Sequence, residues 1–341
     1  MKFSFFLLSL ISGLLLFCPT LSIKAEFIHN QKHYKLLGPI KHEYQKPNQC
    51  GPVTAGMVLN YWLGLKKNQF EIGAYLRPHP DDKHTLLEQF INYLAKFGLK
   101  SKIVYSPDYE LIKKFIAHGI PIVVYQKSHL TGKIIGHYRL VRGYNEAQKI
   151  FIAADSYYGP KYQINYENFN ELWRPFGYLL IIPYPANKEK IVNNILGPMA
   201  DRGKMISEFE KSIQNRIKPA DPYDFLNAAL IAFLREDYAK AVENFEKAQQ
   251  LGLDTERILW YIEWPITAYN KLKNSEKVFE LTDLVFQSGN SAAAELVYER
   301  GRAFLNLGEH PKALAEFLEA ISLEPYFKPP IQALSEIKLK N

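Results

Sequence analysis

Between residues 294 and 325 small and aromatic residues recur at the positions that a pair of tightly packed antiparallel helices needs. They are Gly301, Phe304, Gly308, Ala313, Phe317 and Ala320, closed by Pro325. Helices approach closely where small side chains face larger ones across the contact, and a proline just past the end stops the second helix. Counting back 72 residues from Ala313 reaches Ala241, whose neighbours Ala229, Tyr238, Phe245 and Ala248 repeat the pattern. That interval is close to two lengths of a ~34-residue unit. The stretch between, 258–289, should hold a degenerate pair in which Trp260, Trp264 and Tyr269 stand where small residues are usual. Units of this kind stack, each burying its apolar face on the next. From about Asn187 onward the chain reads as almost pure helix, in about three helical pairs.

The preceding part is different in kind. Helical spacing predicts helices over 51–63, opened by Pro52, and over 84–97, where Leu86, Leu87, Phe90, Ile91 and Leu94 share a face and Gly98 ends the run. A third is predicted over 108–118, capped by Asp108 or Ser106. Short β-rich runs at 102–105, 120–125, 138–143, 150–154 and 178–182 alternate with turn residues. Helices first and strands after them predict an α+β domain with an antiparallel sheet. The expected organisation is therefore a signal peptide over 1–25, an α+β domain over 26–186 and an all-α helical repeat domain over 187–341.

The signal peptide is read from Lys2 followed by a mostly apolar run from Phe3 to Phe17. That run is shorter than the ~20 residues a spanning helix needs, and Pro19 stops it. Cleavage after Ala25, with Ser22 as second choice, would leave 316 residues in an extracytoplasmic compartment, periplasmic or secreted. An uncleaved segment would instead anchor the chain to a membrane. Lipidation at Cys18 is disfavoured by Phe17 directly before it. The net charge of +7 falls to +5 without Lys2 and Lys24, and the lysines are scattered, so nucleic acid is not expected as a partner. Cys18 leaves with the signal and Cys50 remains alone, unable to form an internal disulfide in an oxidising compartment.

Cys50 stands at the expected start of a helix in Gln45-Lys46-Pro47-Asn48-Gln49-Cys50-Gly51-Pro52. Free N–H groups and the helix dipole at such an end stabilise a thiolate, and Gly51 would let a substrate approach the backbone. Cysteines are more often buried structural residues, but the position and solitude of this one favour function. Its base must come from His29, His33, His42, His79, His84, His118, His129, His137 or His310. His137 opens a strand after Gly136, whose lack of a side chain would leave room for substrate beside the imidazole. Asp155 ends the next strand, where two adjacent antiparallel strands would bring it to the histidine; a turn cap at Asp155-Ser156 is an equally good local reading.

The elements Gln45…Cys50-Gly51-Pro52, Gly136-His137-Tyr138 and Asp155 with Gly159-Pro160 resemble the bacteriocin-processing double-glycine cysteine peptidase family, over roughly residues 40–183. The resemblance implies a papain-like fold, with Cys50 as nucleophile, His137 as general base and then acid, Asp155 as orienting carboxylate and Gln45 as oxyanion donor. The backbone N–H of Cys50 would complete the oxyanion hole, and Gln49 is the competing glutamine. Peptide or amide hydrolysis through a Cys50 thioester is the expected activity, without cofactor or metal. No exporter is attached here and a helical domain is appended, so double-glycine specificity is not expected. The repeats, of tetratricopeptide type, should bind a protein partner.

Two other functions fit the same sequence. An inactive papain-like adaptor could bind peptides through its repeats, and an acyl or amide transferase could use the same thioester. His79, Asp81, Asp82 and His84 form a polar cluster that could suggest a metal, but they read better as a solvated loop preceding a helix. Tyr157, Tyr158, Tyr162 and Tyr166 could line a substrate cleft or merely pack at the surface.

Overall fold

The computed structural model describes residues 33–214 and 221–338. The expected signal segment 1–25 and His29 lie outside the described residues. After the short strand β1 (Tyr34–Leu36) come three helices, α1 (Cys50–Leu63), α2 (Gln69–Leu76) and α3 (Leu87–Ala95). Strand β2 (Leu99–Tyr105) and helix α4 (Tyr109–Ala117) follow. Next are β3 (Ile122–Lys127), β4 (Gly136–Asn145), β5 (Ile150–Asp155), β6 (Gly159–Asn165), α5 (Tyr166–Trp173) and β7 (Leu179–Pro185). The strands form one antiparallel sheet in the order β2-β7-β3-β4-β5-β6, with β1 also pairing β4.

Side chains alternate across the sheet, and both faces are covered. Val123, Leu140 and Ile181 join one apolar cluster, and Val124, Val141 and Leu180 join another on the opposite face. This is why β5 and β7 read as near-continuous apolar runs rather than as a clean alternation. Helices α1 and α3 pack into the first cluster, and α4 and α5 into the second. Asp108 caps α4 by accepting the Glu110 N–H at 2.8 Å. Gly98, at φ +80°, turns the chain between α3 and β2 where a side chain would be strained.

Helix α3 begins three residues later than its apolar spacing indicates, because His84 and Thr85 are buried against other elements before the helical turn starts. The segment 79–84 is solvated at Pro80 and Asp81 but not at its end. His84 is 6% exposed and faces both Asp82 and Glu295 of the helical domain. Strand β6 and helix α2 had no distinct periodic signal.

Among the described residues after Pro185 the regular elements are helices: α6 (Glu189–Leu196), α7 (Arg202–Gln214), α8 (Pro222–Leu234), α9 (Tyr238–Gln250), α10 (Thr255–Ile258), α11 (Trp264–Lys271), α12 (Ser275–Gln287), α13 (Ala294–Asn306), α14 (His310–Leu323) and α15 (Lys328–Lys338). Helices α8 and α9, α11 and α12, and α13 and α14 pack as successive pairs. Gly301 on α13 admits the Phe317 ring of α14, since a Cβ there would lie 2.5 Å from that ring. No helix among the described residues is long and apolar enough to cross a membrane.

The two parts share a core. The apolar cluster that holds Val58 of α1 and Ile181 of β7 continues through Phe245, Ile266, Leu281 and Ala303 of the helical pairs. Arg174 pairs with Asp221 at 2.5 Å, and Arg257 donates to the Ile134 carbonyl at 3.2 Å across the junction. Truncating the fully buried Phe317 to alanine empties the seat beside Gly301 and should cost about 3–5 kcal/mol of stability. Urea unfolding of the Phe317→Ala variant, followed by far-UV circular dichroism, measures this; a loss below about 1 kcal/mol would contradict the packing.

Candidate active site

Cys50 is the first residue of α1 and is partly exposed. Gln49 precedes it without capping the helix through its side chain, so the N–H groups of Cys50 and Gly51 are not taken up by a cap. Burial pushes the Cys50 thiol up. The hydrogen bond and positive charge of His137 outweigh it, joined by the backbone N–H groups of Tyr138 and Gly51, and the thiol sits below its ordinary range.

His137 is the second residue of β4 and is 3% exposed. Its Nε2 lies 3.1 Å from Asp155 Oδ2, which leaves the other ring nitrogen for the sulfur. Burial and Arg139 push the imidazole down; the Asp155 carboxylate and the bond to Cys50 raise it above its usual value. The cysteine and histidine are thus displaced in opposite directions, the condition for a thiolate–imidazolium pair near neutral pH.

Asp155 ends β5. Leu140 pairs with Ala154, so the antiparallel register sets Asp155 beside Arg139, and residues 137 and 139 point to the same face. Arg139 Nε donates to Oδ2 at 2.6 Å. The other oxygen, Oδ1, accepts the backbone N–H groups of Tyr157 and Tyr158 at 2.7 and 2.8 Å. The carboxylate therefore both orients the histidine and caps a turn, one oxygen for each. Burial alone would raise its pKa, but His137, Arg139 and the Tyr158 N–H hold it well below the usual carboxylate range.

Gln45 comes to the same place from the other side. Its backbone N–H donates to the Ser156 carbonyl at 2.9 Å, and its Oε1 accepts from Ser156 Oγ at 2.7 Å, leaving the NH₂ end as a free donor. The loop that carries it is pinned. Gln69 accepts the Lys46 N–H at 2.6 Å and donates to Glu43 and the Tyr44 carbonyl, while Arg77 donates to the Asn48 carbonyl at 3.0 Å. Gln49 points away, its amide oxygen against Gly73 on α2.

Two glycines serve a purpose other than substrate access. A Cβ on Gly51 would lie 2.4 Å from Thr85 Oγ1, so that space is filled by Thr85. At Gly136 a Cβ would meet the Tyr125 hydroxyl at 2.2 Å and the Tyr261 ring at 2.8 Å, so the glycine admits a tyrosine from the helical domain. The aromatic group also divides. Tyr158 stacks on Tyr162 at 4.4 Å and Tyr157 is exposed beside it, both next to Asp155, whereas Tyr166 packs inward with Tyr109 and Phe151. Of the other histidines, His42 touches the site, bonding the Asp155 carbonyl at 2.8 Å.

Sequence reasoning missed Arg139, Ser156 and Tyr261. Arg139 left a trace: a charged residue two places from His137 along a strand shares its face. Tyr261 left none, because its partner Gly136 is 125 residues away.

Residues 37–181 match the model of the Peptidase_C39 like family. The match spans most of the first domain, which is similar to that family. Its antiparallel sheet and helices form a papain-like peptidase fold, followed by a helical region. No curated protein matches the chain. Among solved structures, one similar to it is a double glycine motif protease from an AMS/PCAT transporter in complex with the leader peptide. Identity is 18%, covering 45% of this chain and 94% of that one, with a TM-score of 0.34. Others are the peptidase domain of Streptococcus ComA, a bi-functional ABC transporter involved in quorum sensing, and that of Streptococcus mutans ComA. The former has 20% identity, 45% and 99% coverage and a TM-score of 0.35; the latter 20%, 44% and 99%, and 0.27.

The opposed displacements of Cys50 and His137 give a pH signature. Alkylation of Cys50 by iodoacetamide should stay fast well below pH ~8.5, the ordinary thiol midpoint. In His137→Ala the midpoint should climb to that value or above, since burial is then unopposed by the imidazolium. Rate–pH profiles read by intact mass check this, and superimposable profiles would refute the coupling.

Proposed function

We propose that this protein is an exported cysteine peptidase that hydrolyses a peptide or amide bond through a thioester on Cys50. The observation that carries the reading is the unbroken succession from Cys50 through His137 to Asp155, with the nucleophile at a helix start and the acid buried and fully hydrogen-bonded. The Cys50 sulfur attacks the amide carbonyl carbon, and the C–N bond breaks as His137 gives its proton to the leaving nitrogen. Water then attacks the thioester carbonyl, losing a proton to His137, and the C–S bond breaks to release the acid and restore the thiolate. The backbone N–H of Cys50 and the side-chain NH₂ of Gln45 are assigned to the oxyanion that forms twice along this path.

The extracytoplasmic site of action rests on the apolar N-terminal segment, and the helical pairs, read as tetratricopeptide-type, are assigned to partner or substrate binding. A transferase would share every step up to the thioester and differ only in the acceptor. The inactive-adaptor reading loses weight because an adaptor needs neither a displaced thiol nor a buried acid behind its histidine.

Cleavage of a peptide library by the mature protein, read by mass spectrometry, tests the assignment. Cys50→Ser should abolish turnover, and Gln45→Ala should lower kcat about 100-fold or more with the Cys50 alkylation rate retained. A Gln45→Ala variant with unchanged kcat would remove Gln45 from the oxyanion hole, and turnover surviving in Cys50→Ser would overturn the whole reading.

A further inference from the structure

A cavity of about 290 Å³ lies where the peptidase-like domain meets the helical pairs. Neighbours of the candidate nucleophile form part of its wall. Tyr138 lines it with its ring while its backbone N–H bonds the Cys50 sulfur, and Thr85, which packs on Gly51, lines it too. Tyr125 and Tyr261, also in its wall, both feel the Cys50 charge.

Its walls combine two chemistries. Most of the lining is apolar, including Phe176, Leu226, Leu230 and Trp264. The charged side chains among the lining residues are all carboxylates, Glu88, Glu263 and Glu295, with no lysine or arginine beside them. Behind Glu295 lie Asp82 and the buried Glu324, whose Oε1 has no hydrogen-bond partner. The nearest basic groups are committed elsewhere. Arg77 donates to the Asp82 and Asn48 carbonyls, and Arg257 donates to the Ile134 carbonyl while stacking on Trp260 at 3.7 Å. His84 contacts Glu295, but burial and Arg77 push its pKa down to about 4, so it supplies no positive charge at neutral pH.

Burial first, and then the neighbouring acids, raise the pKa of both Glu263 and Glu295, which records the same shortage of counter-charge. In a chain with a net charge of +7 this is an uncompensated acidic pocket. The hydroxyls of two wall residues, Tyr125 and Thr85, are buried without partners. Buried polar groups left unpaired in this way are costly unless a ligand completes them.

We propose that this interdomain cleft is a subsite for a lysine or arginine side chain of the peptide substrate, with the hydrocarbon stem on the apolar walls and the cationic head at Glu263 and Glu295. The inference rests on the assignment of Cys50 as nucleophile and deepens it by naming the residue presented beside the scissile bond. Long basic side chains match such a site because their stems bury while their heads demand charge. An acidic side chain would meet like charge, and glycine would leave the cleft empty. Both carboxylates, Glu263 and Glu295, come from the helical domain, as do Tyr261 and Trp264, so specificity would depend on it.

The test uses the mature full chain and a set of peptidyl acyloxymethyl ketones identical except for the residue next to the warhead: lysine, arginine, norleucine, phenylalanine, glutamate or glycine. Norleucine matches the lysine stem without the charge. The second-order rate of Cys50 alkylation should be about 10-fold or more higher for lysine and arginine than for norleucine. In Glu263→Gln and Glu295→Gln, both near-isosteric, the lysine-to-norleucine ratio should fall toward one. Because a ratio is read within each variant, partial loss of folded protein does not affect it.

Equal rates for lysine and norleucine would overturn the proposal in favour of a purely apolar cleft. Fastest reaction with glycine would also overturn it, as would a basic preference that persists in both variants. Iodoacetamide labelling that is indifferent to His137→Ala would overturn the cleft assignment together with the nucleophile it rests on. His137-dependent labelling without a basic preference would overturn the cleft assignment alone.

Discussion

The Asp155 carboxylate is fully buried, and the arrangement around it follows from the need to pair that charge. A carboxylate in this position costs several kcal/mol unless donors surround it. Here four do: the His137 ring, Arg139 and the N–H groups of Tyr157 and Tyr158. Arg139 is itself fully buried, so its remaining N–H groups go to Gln126, the Lys127 carbonyl and the Ser128 carbonyl. One charge thus ties the ends of β3, β4 and β5 together. Because the turn after Asp155 also presents Ser156 to Gln45, the same anchor fixes the loop that approaches Cys50.

The helical domain is part of this construction and not an appendage to it. Its apolar core is continuous with that of the peptidase-like domain, and two glycines of the first domain lack side chains to admit residues of the second. Gly136 receives Tyr261, and Gly177, at φ +67°, has Leu230 where a Cβ would stand. Helices that pack this way cannot shift without exposing apolar surface beside the nucleophile.

Much of the candidate site was legible in the residues. Cys50 was singled out by solitude and by its place before Gly51-Pro52, and His137 and Asp155 by their positions at strand ends. Position, however, misled about the glycines. A missing side chain says only that something comes close, and at Gly51 and Gly136 the neighbour is protein. The stretch 79–84 read as solvated because it is polar, yet His84 is buried by Glu295, a contact 211 residues apart in the chain.

The sequence by itself determined what depends on neighbours along the chain: the helical pairs, from small and aromatic residues at a fixed period; the antiparallel strands, from apolar runs between turns; and the helix start that exposes N–H groups to a thiol. Only the tertiary structure decided what depends on distant segments meeting. It gave Asp155 its arginine, it filled the spaces beside two glycines, and it closed a cleft lined by carboxylates between domains. The reason is physical. Hydrogen bonding and periodicity within an element are local, whereas burial, and the electrostatics that burial strengthens, belong to whichever residues the fold brings together.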